Sequence, residues 1–518
     1  MKKFLAHHTE IVTSVLSGFD RLVFRGHLLP LMRAGGMFFF LQATGVRLLD
    51  YKKYVTAISQ RLKESALAEA IRGNRPVVYL ESSAESKEDL ARKLLAEHPR
   101  KSPGLICAFK TVEPCMTFEY HRSRDLMARG LRLRPGKCLH IYKYYQHPTF
   151  GFMNGRIQTW FPFNIQICLN GREWLGQQLH RRRLRFERVD NCFTSLGRPA
   201  IAQSLMDEQL QCDWPTELNA VAHALNPIHE DIFAASPMDY YWSVYQSEWA
   251  TDLLFQSPEA LASLYPSLVH FGIENLKTPD VMRFLGRKMH GNFKGESTTS
   301  YKERIEGVRV KHWVNGNSVK MYDKAGCILR VETTMGNTSD FKVLRPRRDE
   351  PDGKLEWQPL RKGVADIHRR MEISHRSNER YLDALSVVED TTPCSHIFDA
   401  VARPVICGGR RFRAIRIGDA EDIALLEAIS HGEFVTAGFR NRDLQRHLCP
   451  RAGKASVKER RRISARVSRL LRLLRAHGII KKIHKTYRYQ LTERGRHLSA
   501  ALQAARGVTL NQALKQAG

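Results

Sequence analysis

The stretch Ser456–Leu491, SVKERRRISARVSRLLRLLRAHGIIKKIHKTYRYQL, decides how the last part of this 518-residue chain folds. Ile463, Val467, Leu470, Leu471 and Leu474 recur at steps of four, three, one and three, which places them on one stripe of a helix. Arg462, Arg466 and Arg469 fall on the opposite face, with Arg460, Arg461, Arg472 and Arg475 beside them. Gly478 stops the helix, and Ile479–Ile483 and Tyr487–Leu491 flank the turn His484-Lys485-Thr486, so a hairpin follows. Upstream, Asp419 is suited to cap a helix whose Ile423, Leu426 and Ile429 share a face and which Gly432 ends. After an extended piece, Phe434-Val435-Thr436, Asn441 is suited to cap a second short helix, Arg442–Leu448, closed by Pro450 and Gly453.

From Arg440 to Arg496 there are 19 Lys and Arg against three Asp and Glu, net +16 in 57 residues and more than half of the whole-chain charge of +29. A helix that projects a row of arginines suits a major groove, because guanidinium binds both phosphate and the guanine edge. The candidate nucleic-acid contacts are Arg440, Arg442, Arg446, Lys458, Arg461, Arg462, Arg466, Arg469, Lys481, Lys482, Lys485 and Arg488. The order of three helices and a hairpin, followed by Tyr487-Arg488-Tyr489-Gln490-Leu491-Thr492-Glu493-Arg494-Gly495-Arg496, resembles the winged-helix domains of bacterial transcription regulators and mobile-element proteins. The resemblance covers residues 418–500 and implies a helix-turn-helix that binds duplex DNA. The same face also suits protein contacts or a merely solvated surface.

Composition sets the wider frame. With 82 Lys and Arg, 53 Asp and Glu and 43% hydrophobic residues, the chain is a folded, strongly basic protein for which a polyanionic partner is expected. No run approaches the ~18 apolar residues that span a bilayer, and no membrane role is expected. The opening Met1-Lys2-Lys3-Phe4-Leu5 is interrupted by His7, His8, Thr9 and Glu10, so an export signal is not expected; the location is taken as cytoplasmic, and nucleoid-associated when bound to DNA. The ten cysteines form no CxxC pair, which supports neither a zinc knuckle nor a disulfide framework and leaves reduced thiols.

The expected fold class is α+β multidomain, with an N-terminal α/β and β-rich core, a helical middle and a C-terminal winged helix-turn-helix. Residues 1–130 form an α/β region, with Val77–Leu80 a short strand and Glu85–Leu95 a helix; the cluster Met37–Leu41 reads as core. Residues 131–200 form an aromatic-rich β region, ended by Asn170-Gly171 and followed by a helix over Arg172–Arg183. Residues 201–300 read as helical, and 301–400 as a β-hairpin plus a long helix, Leu360–Val388. The last boundary falls between about 390 and 418, where Thr391-Thr392-Pro393, Arg403-Pro404 and Gly408-Gly409 break the pattern.

Evidence for catalysis is thinner. Ser318–Glu332 reads as a hairpin turning at Ala325-Gly326, and its Tyr-x-Lys strand followed by an Arg-x-Glu strand resembles a stretch of phage and plasmid replication-initiation factors. That resemblance implies a metal-dependent strand-nicking nuclease in which Tyr322 is the nucleophile, Lys324 and Arg330 match the pattern, and Asp323 and Glu332 hold Mg²⁺ or Mn²⁺. A polar-faced structural hairpin fits the same residues, and whether the chain is an enzyme stays open. Tyr381, after His368 and His375, is a second candidate nucleophile, and Asp20 and Asp190 are isolated acids that no spacing joins. No phosphate loop GxxxxGK[ST], GxGxxG, HExxH or GxSxG occurs, so nucleotide-driven and common hydrolase chemistry is not expected.

Lys143, Tyr145, Arg156, Trp160, Arg182 and Arg183 suggest a second nucleic-acid surface, where aromatic rings stack on bases and cations meet phosphates, although aromatic strand residues more often form core. The leading expectation is a bacterial or mobile-element protein that binds duplex DNA, in replication initiation, recombination or transposition. An RNA-binding component of a ribonucleoprotein and a non-catalytic transcription regulator are the alternatives.

Overall fold

The computed structural model describes all residues except 83–84, 100–101, 122–129, 275, 277–280, 283, 287–297, 305–306, 348, 351–352, 387–393, 431–438, 450–455, 484–486 and 508–518. The chain is mixed α/β and divides into two compact units, one of residues 13–256 and 324–375, the other of residues 1–12, 257–323 and 376–518.

The strands of the larger unit are β1 Val12–His27, β2 Val77–Tyr79, β3 Gly104–His121, β4 Gly130–His147, β5 Gly151–Gln158, β6 Ile165–Asn170, β7 Phe186–Val189, β8 Cys192–Leu196 and β9 Tyr241–Phe255. Next come β10 Thr298–Arg304, β11 Gly307–Val314 and β12 Asn317–Lys324, mostly in the other unit, and β13 Ile328–Met335 returns to this one. Its sheet runs β13-β9-β1-β6-β5-β4-β3-β2. The pairs β13–β9, β1–β6, β6–β5, β5–β4 and β4–β3 are antiparallel, and β2 lies parallel to β3.

Alternation gives this sheet two different faces. One carries Phe24, Ile141, Ile157, Ile165 and Ile167 into the main core. Helices Ala34–Ala43, Tyr51–Arg72 and Trp214–Leu225 supply residues to that core. Helix Tyr51–Arg72 buries Tyr51, Val55, Ile58, Leu62, Ala66 and Ala70, a stripe of steps near 3.6, and each large apolar side chain so buried contributes about 1.5–3 kcal/mol. Gly155 lets helix Trp214–Leu225 approach β5, since a Cβ there would stand 2.3 Å from Leu225 Cδ1. The other face mixes apolar and polar residues: helix Lys87–Glu97 packs Leu90, Ala91 and Leu94 into a second core with Phe109, Tyr144 and Phe152, and beside it Lys87 Nζ lies 3.3 Å from Glu113 and the Arg92 guanidinium 4.3 Å from the Phe152 ring centre.

Residues 201–300, expected to be helical, contain the 15-residue strand β9. The reason is burial on both faces: every residue from Trp249 to Phe255 is buried, and such a run lacks the alternation that separates a strand from a buried helix. The long helix expected over Leu360–Val388 starts later, at Ile367, and ends at Leu385. Of the expected core cluster, Met37, Phe40 and Leu41 are buried, whereas Phe38 and Phe39 face solvent because the segment is a helix with one inward side.

In the smaller unit, β10, β11 and β12 pair antiparallel in that order. Its C-terminal part holds helices Ala420–Ser430, Asn441–Leu448 and Val457–Ala476, then the paired strands Ile480–Lys482 and Tyr489–Leu491, then helix Glu493–Gly507. They share a separate core that includes Leu426, Ile429, Leu444, Val467, Leu471, Leu474, Ile479 and Leu491. Phe439 bridges to Tyr489 and adds a third short edge to the hairpin. The extended piece Phe434–Thr436, the stops Gly432, Pro450 and Gly453, the turn His484–Thr486 and the break Thr391–Pro393 lie outside the described residues.

Candidate functional site

Two places concentrate polar chemistry, one in each unit. The first is the outward face of helix Val457–Ala476. Ser456 and Glu459 form a reciprocal cap, with Ser456 Oγ accepting from Glu459 N at 3.3 Å and Glu459 Oε2 from Ser456 N at 2.8 Å. Gly478 ends the helix at φ +68°. Val467, Leu471, Leu473 and Leu474 are buried, which turns Arg461, Arg462, Arg466, Arg469 and Arg472 to solvent. Asp419 accepts from Asp422 N, as a helix cap does. Asn441 is not the cap of the second helix; Arg440 occupies that position, and the Asn441 amide instead donates to Ser464 O and Ser468 Oγ, fastening that helix to the arginine helix.

Among the other candidate contacts, Arg442, Arg446, Lys458, Lys481 and Lys482 are exposed, while Arg440 and Arg488 are half-buried. Lys485 lies outside the described residues. Arg466 meets Glu421 at 2.8 Å, both exposed, so that ion pair is easily exchanged for another anion.

The second place is a carboxylate centre in the larger unit. Asp20 of β1, Glu248 of β9 and Glu332 of β13 bring carboxylate oxygens within 4.8 Å of one another. The β13–β9 register, with Glu332 opposite Ala250 and Arg330 opposite Asp252, assembles them. Asp20 accepts from Asn191 Nδ2 at 2.8 Å, Asn170 Nδ2 at 3.3 Å and Arg330 Nη1 at 3.2 Å. Arg330 also donates to both oxygens of Asp252, at 2.5 and 2.8 Å, and Arg172 Nη2 approaches Asp252 at 3.2 Å. Asp190, on the same loop as Asn191, pairs with Lys324 at 2.9 Å, and burial, which would raise its pKa, is outweighed by that bond.

Four carboxylates, Asp20, Glu248, Asp252 and Glu332, thus surround two fully buried guanidiniums, those of Arg172 and Arg330, and Arg21 stands at the rim. Burial pushes the Asp20 pKa above its ordinary value; Arg330 opposes this and Glu332 adds to it. Carboxylate and amide oxygens grouped in this way are the ligands that a hard divalent cation prefers. Beside the centre opens a cleft of about 120 Å³ lined by Asp20, Arg21, Arg92, Asn154, Asn170, Asn191 and Glu248, among others. Its rim cations and amides suit an anionic oxygen, as in a phosphate group.

The centre includes Glu332 from the hairpin reading and Asp20, but not Asp323. Lys324 faces Asp190, so the pleat sends its neighbour Asp323 to the opposite side, where Tyr265 lies against it. Tyr322 is half-buried beside Lys320, whose Nζ stands 5.6 Å from the ring centre. Tyr381 is fully buried, packs on Phe284 and shares a hydrogen bond with His312 at 3.1 Å; burial pushes its hydroxyl pKa up, which removes it as an accessible nucleophile. Glu248 carried no signal in the sequence.

The residues of the second expected surface do not share one face. Lys143 is buried and donates to Glu69 and to Ala224 O, Tyr145 donates to Glu69, and Trp160 donates to Phe118 O. Arg156 lies on the opposite face and donates to Glu113 at 2.9 Å. Arg182 and Arg183 are exposed at a helix end, Arg182 beside Glu208. Among the described residues, no helix is long and apolar enough to cross a membrane. Compared with protein-family models, curated proteins and solved structures, the chain matches none.

Proposed function

We propose that this chain is a nucleic-acid-binding protein of bacterial or mobile-element kind that docks on duplex DNA through residues 418–500 acting as a winged helix. The observation that carries the reading is the arrangement of helix Val457–Ala476, whose buried Val467, Leu471 and Leu474 force Arg462, Arg466 and Arg469 outward in one row, with Lys481 and Lys482 exposed on the hairpin that follows. A row of guanidiniums on a helix held by its other face is what major-groove entry needs, and lysines beside it neutralise flanking phosphates. Titration of a labelled duplex at two salt concentrations tests this. Replacing Arg462 and Arg466 together by Ala is expected to weaken binding and to lower the slope of log affinity against log salt by about 2, one per lost phosphate contact. Unchanged affinity and slope would overturn the reading, and preference for a structured RNA over the duplex would move it to a ribonucleoprotein.

A second reading concerns the carboxylate centre, favoured by the convergence of three carboxylates beside a cleft with rim cations. Such a set suits a divalent cation that polarises a phosphodiester, so the larger unit would cut nucleic acid that the smaller one binds. Supercoiled plasmid with Mg²⁺ or Mn²⁺ is the assay. Nicking that Asp20→Asn and Glu332→Gln abolish supports it; no nicking in either metal, or equal nicking by both variants, removes it.

A further inference from the structure

Strands β3 and β4 bring together Cys115, Cys138 and His140, whose ligand atoms lie within 4.8 Å of one another. We propose that these three residues form a binding site for a soft divalent cation, Zn²⁺, held by two thiolates and one imidazole with a fourth position left for water.

The register builds the cluster. Cys138 stands opposite Glu113 and Cys115 opposite Gly136, so the two cysteines are diagonal neighbours on one face. His140, two residues beyond Cys138 on the same face, stands opposite Thr111. The sulfurs are already 3.3 Å apart. Tetrahedral Zn²⁺ with Zn–S near 2.3 Å requires about 3.8 Å between two sulfurs, an opening of roughly half an ångström that rotamer adjustment supplies.

The chemistry selects the cation. Two sulfurs and an imidazole favour a soft or borderline metal over Mg²⁺ or Ca²⁺. Glu113, the nearby carboxylate, is already engaged by the Tyr142 hydroxyl at 2.8 and 2.9 Å, by Arg156 at 2.9 Å and by Lys87 at 3.3 Å, so it belongs to the shell around the site and not to the ligand set. Arg156 and Lys87 disfavour a bare cation there, yet a divalent metal with two thiolates is neutral and escapes that repulsion. Binding converts two thiols to thiolates and releases two protons to solvent.

Two further features point to a ligand. The Thr111 hydroxyl is fully buried, has no hydrogen-bond partner among the described residues, and stands directly across from His140, where a metal-bound water or a thiolate needs a polar neighbour. His140 Nδ1 lies 3.2 Å from the Cys138 carbonyl; donating there, it leaves Nε2 with the lone pair a metal takes.

Cobalt(II) titration of the full chain, kept reduced, tests the site. One equivalent is expected to give thiolate-to-cobalt charge-transfer absorption and the intense d–d bands of a tetrahedral ion, displaced by Zn²⁺. Cys115→Ser and Cys138→Ser should each remove at least half of the charge-transfer intensity, while Cys212→Ser leaves it unchanged. Thr111→Val, which keeps all three ligands and the side-chain volume, should weaken Zn²⁺ binding about tenfold in competition with a chromophoric chelator. Circular dichroism identifies any variant that fails to fold, and Thr111→Val then carries the test. Absence of thiolate–cobalt absorption in the reduced wild type, its persistence in the Cys115→Ser/Cys138→Ser double variant, or isolation of a Cys115–Cys138 disulfide that takes no cobalt after reduction would overturn the proposal.

Discussion

Arg462, Arg466 and Arg469 hold their charge in water along one face of a single helix, whereas Arg172 and Arg330 hold theirs fully buried among Asp20, Asp252 and Glu332, supplied by three strands. The outward row costs little to keep and is ready to release counterions when it meets a polyanion. The inward set carries a desolvation penalty that ion pairing only partly offsets, so it is weak evidence for stability and stronger evidence that something other than stability retains it. The same residue type thus forms a solvated row in one place and a built interior cluster in the other, and burial is what distinguishes them.

The sharpest way to break this comparison is to remove one cation from each place. Arg330→Met leaves Asp20 and Asp252 buried without their shared partner and is expected to lower unfolding free energy by about 3–5 kcal/mol in urea titration. Arg469→Met, exposed and on the helix surface, is expected to change it by less than about 0.5 kcal/mol while weakening duplex binding. Equal losses in the two variants would mean that the carboxylate centre is wet and open, and the contrast would fail.

A pH series sharpens it further through its sign. Asp20 has a raised pKa in the fold, first because of burial, so the folded chain binds a proton more tightly than the unfolded one between about 3.8 and the folded value. Stability relative to Asp20→Asn should therefore rise as pH falls through that window. Asp422 behaves oppositely. Burial alone would raise its pKa, but the hydrogen bond from Arg413, at 2.5 Å, and that from Arg416 N outweigh it and hold the pKa down. Its contribution is complete above 3.8 and is lost as pH falls through the lowered folded value. Unfolding curves of wild type against Asp20→Asn and Asp422→Asn should diverge in opposite directions on acidification; parallel drift would show that neither carboxylate titrates as its surroundings dictate.

Legibility in the sequence followed how local each feature is. The arginine helix was readable because its apolar stripe and the Gly478 stop are local in the chain, whereas the Ser456–Glu459 cap that starts it first appears in the structure. The hairpin at Ala325-Gly326 was readable for the same reason, both residues adopting φ near +50° and +71°. The carboxylate centre was not. Asp20, Asp190 and Glu332 each stood out as acids, but the tie between Asp20, Glu248 and Glu332 is a strand order that no spacing encodes. Lys143 and Tyr145 were misplaced on a binding surface because the pleat, not composition, sends them against Glu69. Cys115, Cys138 and His140 fit no ligand spacing for the same reason, since their proximity belongs to a pair of strands.

The smallest expected effect tests whether the outward row depends on its helix. Ser456→Ala removes one half of the reciprocal cap, exposing the Glu459 amide, and should cost about 1 kcal/mol of stability, typical of a lost Ser cap. The row begins close behind that cap, at Arg461 and Arg462, so fraying of the first turn would loosen those two while Arg466 and Arg469, anchored by buried Val467 and Leu471, stay in place. Duplex affinity in Ser456→Ala should then fall by less than in Arg462→Ala with Arg466→Ala, and the salt slope should change by less than one phosphate contact. A loss as large as in the double variant would show that the first turn itself makes the essential contact, and would shift the centre of the binding face toward Lys458 and Arg461.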